Sequence, residues 1–192
     1  MPSRPLVLIA LALMVCVAPA AATAATAGEP ITASVPHATM TYYSIAGRTA
    51  GQLRVQLNVR GPRDGAGARF DAVTRWRYHW SWPGYGSASC RLGGAKVSVA
   101  ISTAFPRWTP PRGADLILVG IWRRYVRALA RHESGHARVA WTHRVAVLRA
   151  IRRATCATAE AAAQRQLTIV ARLNASYDAS TRHGATQGAL FP

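Results

Sequence analysis

Along this chain the apolar positions change period, and each change marks an element. Thr39 to Ile45 is rich in strand-forming residues and predicts a strand, which Gly47 ends. Thr49 to Asn58 predicts a short helix with Leu53 and Leu57 on one face. Gly61-Pro62 stops that helix, and Asp64-Gly65-Ala66-Gly67 reads as loop. Phe70 to Trp82 has the clearest period of two, with Trp76, Tyr78, Trp80 and Trp82 facing one way and Arg75, Arg77, His79 and Ser81 the other. Lys96 to Phe105 repeats the pattern with Val97, Val99, Ile101, Thr103 and Phe105, so these two strands should pair antiparallel. An aromatic row at this spacing reads as core in preference to a carbohydrate- or peptide-stacking surface.

Pro106 and Pro110-Pro111 predict a rigid connection, and Asp115 is a suitable N-cap for the next element. The period then becomes helical from Leu118 to about Arg153, long enough to expect a bend or break. A last helix is predicted from Thr158 to Tyr177 with Leu167, Val170 and Tyr177 inward, and the tail from Asp178 to Pro192 reads as irregular. The order β-α-β-β-α-α argues an α+β fold, with the helices on one face of a small antiparallel sheet.

The N-terminus has another character. Arg4 precedes an apolar run from Leu6 to Val17, and small residues follow from Ala18 to Ala27. That is the pattern of a secretory signal peptide over residues 1–27, and the apolar run is too short to span a bilayer. Met14-Val15 before Cys16 disfavours a lipidation site. Gly28 to Ala38 is expected to be a flexible lead-in, and residues 39–192 a single domain with no transmembrane anchor. The localisation implied is periplasmic or extracellular. Beyond the signal only Cys90 and Cys156 remain, and in an oxidising compartment one disulfide is the expectation. The formal net charge of +17 is almost all arginine, Lys96 being the single lysine. The arginines are spread over every segment, which argues against a nucleic-acid partner. GC-rich coding, anionic lipid or cell-wall polymer accounts for them more readily.

The chemistry concentrates in His132-Glu133-Ser134-Gly135-His136, an H-E-x-x-H pattern. On a helix its two histidines lie one turn apart and can hold one metal ion, while the glutamate reaches the water that the metal activates. Projected at about 100° per residue, Leu118, Trp122, Tyr125, Leu129, Ala140 and Val147 fall within about 80° of His132, as does His136. Arg127, Arg131, Arg138, Arg149 and Arg152 fall further round. Histidines within an apolar face need something to satisfy them, and a metal satisfies two imidazoles; two hydrogen-bonded core histidines would be the plainer alternative. Glycine inside a helix costs about 1 kcal/mol relative to alanine, so Gly135 implies a packing or functional reason.

A catalytic zinc takes three protein ligands and keeps one position open. His143 lies seven residues beyond His136, about 10 Å along an unbroken helix, and cannot share the ion. Val139 and Thr142 stand where a metzincin has glycine and histidine, which excludes that class. Glu160, on the next helix, and Asp178 and His183, in the polar, turn-rich tail, are the remaining candidates.

His132-Glu133-Ser134-Gly135-His136, the strand Tyr42-Tyr43-Ser44-Ile45, the Trp-rich strand, and Tyr177-Asp178 with Thr181 and His183-Gly184-Ala185-Thr186-Gln187-Gly188 resemble a known bacterial family. It is the family of predicted secreted zinc-dependent proteases, catalogued as a domain of unknown function. The resemblance covers Thr39 to Pro192 and implies a zincin-like domain whose tail belongs with its motif, which favours His183 over Glu160 as third ligand.

The expected function is therefore a secreted or periplasmic peptidase using Zn2+ on His132, His136 and His183. Glu133 would be the general base, Asp178 would support a ligand from behind or replace one, and Tyr177 would be a candidate to steady the oxyanion. Its substrate would be a protein or peptide, the peptide stem of the cell wall included. The alternative is a non-enzymatic cell-envelope binding module with a structural metal and an arginine-rich surface.

Overall fold

The computed structural model describes residues 35–36, 38–87 and 89–192. The expected signal peptide, residues 1–27, and most of the expected lead-in lie outside the described residues. Of the lead-in, Val35 is buried in the core and Ala38 already belongs to the first strand.

The elements follow in the order β1 (Ala38–Ile45), α1 (Ala50–Arg60), β2 (Val73–Ser81), β3 (Lys96–Trp108), α2 (Leu116–Arg153) and α3 (Ala159–Thr181). The three strands form one sheet ordered β1-β3-β2, so β3 is central. β2 pairs with β3 antiparallel, as expected, but β1 runs parallel to β3. The sheet is thus mixed, which corrects the expectation of an antiparallel one. The crossover from β1 passes through α1 and β2 before β3 enters between the two earlier strands, an arrangement that no local pattern encodes.

Pro106 is not a connection but part of β3, paired with Tyr43 of β1. β2 ends at Val73 opposite Ala104, so at Pro106 the strand has no neighbour on that side and tolerates a missing N–H. Asp115 caps α2 through its side chain, which accepts from the Ile117 N–H at 2.8 Å. α2 then runs 38 residues without the expected break. α3 continues one turn further than predicted, to Thr181, and stops at Arg182 in the left-handed region, φ 49°. Among the described residues no helix is long and apolar enough to cross a membrane.

α2 lies across one face of the sheet with α3 beside it, and the core divides into two apolar clusters. One gathers Tyr78, Val99, Ile101, Ala140, Val147 and Val170. The other gathers Leu53, Phe105, Trp122, Tyr125, Leu129 and Phe191. Between them runs a buried polar layer: Thr103 on β3, His132, Glu133 and Ser134 on α2, and Thr181 on α3. Thr103 interrupts an otherwise apolar row and pairs directly with Thr74 of β2. The disulfide Cys90–Cys156 forms as expected, joining the loop after β2 to the turn between α2 and α3.

Candidate metal centre

The middle of α2 carries the motif because the apolar stripe is interrupted there. His132 and His136 point the same way, and their rings meet edge to face at 4.8 Å. α3 closes the site from the other side. Asn174, Tyr177, Asp178 and Thr181 are spaced i, i+3, i+4 and i+7 along it, one helical face turned toward α2.

Each histidine is held by its Nδ1. The Nδ1 of His132 lies 3.1 Å from Gln187 Oε1, and that of His136 lies 2.7 Å from Asn174 Oδ1. Both amides are themselves oriented. Asn174 Nδ2–H donates to the Val170 carbonyl, and Gln187 Nε2–H donates to the Tyr177 hydroxyl. Their oxygens therefore face the rings, and each Nδ1 carries the donated proton. In the neutral imidazoles both Nε2 atoms then present lone pairs inward.

These lone pairs converge. The two Nε2 atoms are 3.3 Å apart, and Asp178 Oδ1 lies 3.2 Å from the first and 3.0 Å from the second. Burial pushes the His132 imidazole below its ordinary pKa, and the neighbouring His136 adds to this; Asp178 and the Gln187 hydrogen bond pull the other way. Three donor atoms at such spacing repel unless a proton or a metal ion lies among them. A tetrahedral ion with bonds of about 2.0–2.1 Å sets its ligands about 3.3–3.4 Å apart. His132, His136 and Asp178 fit that separation, and among the described residues they form the one group that could hold a metal.

His183 falls outside this group. It is the second of two consecutive non-glycine residues in the left-handed region, at φ 51°, and this turn carries its ring outward. Its side chain is 64% exposed, with Nδ1 3.6 Å from Asp178 Oδ1. The third position expected of His183 is taken in the geometry by Asp178, which was expected either to support a ligand or to replace one. Glu160 stands at the far end of α3, about 27 Å along the axis from Asp178, where Trp80 and Tyr85 donate to it at 2.8 and 2.9 Å. His143 bonds Gln166 one helix away.

Tyr177 packs against the two histidine rings. Its ring stacks on His132 at 5.2 Å and 13°, meets His136 edge-on at 5.0 Å, and lies against the backbone of Gly135. A Cβ there would come within 2.2 Å of the phenol, which is why the motif holds glycine at this position. The Tyr177 hydroxyl, the candidate to steady an oxyanion, accepts from Gln187 Nε2–H at 3.0 Å. The tail is fastened over the site in the same way. Gly184, at φ 83°, passes so close that a Cβ would stand 3.0 Å from His132 Cγ, and Phe191 anchors the chain end between Trp122 and Tyr125.

Glu133 is 4% exposed and accepts from Thr74 Oγ1 at 2.6 Å; Thr74 is also 2.8 Å from Thr103 Oγ1. Burial pushes its carboxyl above the ordinary value, and the Asp178 charge adds to this, while the Thr74 hydrogen bond and His136 oppose it. Sequence reasoning missed Thr74, Asn174 and Gln187 as site residues. Asn174, four residues before Asp178, was the one with a visible helical signal. A cleft of about 490 Å³ opens over His132, Glu133, His136 and Asp178, and Trp76 of β2 and His183 also line it. Arg54 and Arg69 stand in its wall, Arg54 paired with Asp71.

The fold and site together define an α+β protein with a buried general-base candidate beside a His-His-Asp donor set. A family model described as "Bacterial protein of unknown function (DUF922)" matches residues 40–184, and the chain belongs to that family. No curated protein and no solved structure matches it.

Proposed function

We propose that the chain is an exported zinc-dependent peptidase. The observation that carries this reading is the convergence of His132 Nε2, His136 Nε2 and Asp178 Oδ1 within 3.0–3.3 Å, next to a buried glutamate that lines an open cleft. Two imidazoles and one carboxylate are a donor set that suits zinc and leaves a fourth position for substrate or water. Zinc held there would supply Lewis acidity, polarising a carbonyl and lowering the pKa of a nearby water toward 7.

The chain's own residues divide the remaining work. Glu133, its basicity raised by burial, takes the proton from the attacking water and passes it to the leaving amine. Thr74 holds the carboxylate in place through one oxygen, leaving the other for that task. Asn174 and Gln187 fix the ring orientations, and Tyr177 packs against both rings. His183, exposed at the rim, is the ring available to hydrogen-bond a substrate carbonyl. A peptide is favoured as substrate because β2 has a strand partner on one side only, and Thr74 and Trp76 of that edge line the cleft. An extended peptide can pair with such an edge and lie across the site. Export follows from the signal-like N-terminus and agrees with the disulfide.

The test is hydrolysis of denatured proteins, peptide libraries and cell-wall peptides by wild type and Glu133→Gln, with and without chelator. Cleavage by wild type that chelator and Glu133→Gln both abolish supports the peptidase. Absence of cleavage by zinc-loaded wild type, or equal cleavage by the variant, refutes it. A binding module has no use for a base beside its metal.

A further inference from the structure

α2 carries nine arginines and a single acidic residue, Glu133, which is buried at the site. At about 100° per residue, Arg124, Arg127, Arg131, Arg138, Arg149 and Arg152 fall within an arc of about 80° and extend about 42 Å along the helix. All six are exposed. Among the described residues the one arginine–carboxylate ion pair is Arg54–Asp71, which involves none of these six. The nearby carboxylates are committed elsewhere, Asp115 to the α2 N-cap and Glu160 to Trp80 and Tyr85.

The N-terminal half of this face has a second character. Leu116 and Ile117, in the first turn of α2, are 83% and 73% exposed, and they project into the arc or within about 20° of it. Leu190, 69% exposed, borders a groove of about 500 Å³ that Arg124, Arg127 and Arg131 line on the α2 side. Guanidinium groups that face no carboxylate, beside protruding aliphatic side chains, suit an interface that is anionic at its surface and apolar beneath. A soluble polyanion would use the arginines but would leave Leu116, Ile117 and Leu190 in water.

We propose that the outer face of α2 and the C-terminal segment beside it form a docking surface for an anionic phospholipid bilayer. Headgroup phosphates meet Arg124, Arg127 and Arg131, and Leu116, Ile117 and Leu190 enter the interface. His132, Glu133 and His136 project about 120–160° from the middle of the arc, so a docked molecule holds its cleft toward solution. The surface works without metal and without catalysis.

The experiment uses a chain starting at Gly28, which keeps every described residue and removes the apolar run from Leu6 to Val17. Co-sedimentation is measured with vesicles of phosphatidylglycerol and phosphatidylcholine in equal parts, and with phosphatidylcholine alone. The mixed vesicles should bind wild type and the neutral ones should not. Arg124→Glu, Arg127→Glu and Arg131→Glu together should weaken binding about 100-fold, about fivefold per arginine. The same charge change at Arg48, Arg77 and Arg91, on other exposed surfaces, should cost far less. Leu116→Ser, Ile117→Ser and Leu190→Ser together should weaken vesicle binding about tenfold and leave binding of inorganic polyphosphate unchanged. Circular dichroism checks each fold, and Arg→Gln versions carry the comparison if charge reversal impairs folding. Failure to bind the mixed vesicles, or equal loss from both arginine sets, overturns the proposal. An apolar triple variant that binds vesicles like wild type also overturns it and assigns the face to a soluble polyanion.

Discussion

Gly135→Ala isolates one packing contact on which the site depends. An ideal Cβ at Gly135 would stand 2.2 Å from both Cζ and the hydroxyl oxygen of Tyr177, and 2.6 Å from Cε1. Ordinary carbon contacts are about 3.5–4.0 Å, so the ring has to withdraw by about 1.5 Å. It cannot do so freely, because it is stacked on His132 at 5.2 Å and its hydroxyl accepts from Gln187 at 3.0 Å. Overpacking of this kind costs about 1–3 kcal/mol, against about 1 kcal/mol that alanine gains over glycine in a helix. A near-cancelling net change in one variant would be uninformative, so the measurement is a double-mutant cycle with Tyr177→Ala. Urea unfolding of the four chelator-stripped proteins gives the coupling directly. Gly135→Ala should destabilise the wild-type background by up to about 2 kcal/mol and stabilise the Tyr177→Ala background by up to about 1 kcal/mol. The same effect in both backgrounds, within about 0.5 kcal/mol, would refute the reasoning that Tyr177 dictates glycine here.

Asn174→Ala and Gln187→Ala each remove the oxygen that holds one imidazole, and each should lower zinc affinity about 10–100-fold with little loss of helix signal, read by competition with a chromophoric chelator. Replacing Cys90 and Cys156 together by serine opens a loop closed across a separation of 66 residues and should cost about 4 kcal/mol of stability in the chain-entropy model, read by urea unfolding under non-reducing conditions.

The elements of this fold were legible wherever a residue's partners lie near it in sequence. The motif helix, its Asp115 cap, the β2–β3 pairing and Leu53 and Leu57 under α1 all follow from local periodicity, and the Cys90–Cys156 pair follows from counting. The parallel β1–β3 pairing was not legible, because it joins strands more than fifty residues apart and is decided by which edge β3 fills. The third member of the donor set was hard to read from sequence for a different reason. Ending α3 at Tyr177 left Asp178 in an irregular tail, where it looked no better placed than His183. Once the helix continues to Thr181, Asn174 and Asp178 fall one turn apart and face α2. The left-handed residues Arg182 and His183 then turn the next side chain away. Thr103 was visible as one polar residue in an apolar row, but its link to Glu133 through Thr74 required the register.

Calorimetric titration of zinc into chelator-stripped protein tests the metal centre most directly. One ion should bind per chain; His132→Ala, His136→Ala and Asp178→Asn should each lower its affinity at least about 100-fold, while His183→Ala and Glu133→Gln should bind nearly as wild type. Wild type that takes up no ion, or an Asp178→Asn protein that binds as tightly as wild type while His183→Ala does not, would contradict the donor set of His132, His136 and Asp178.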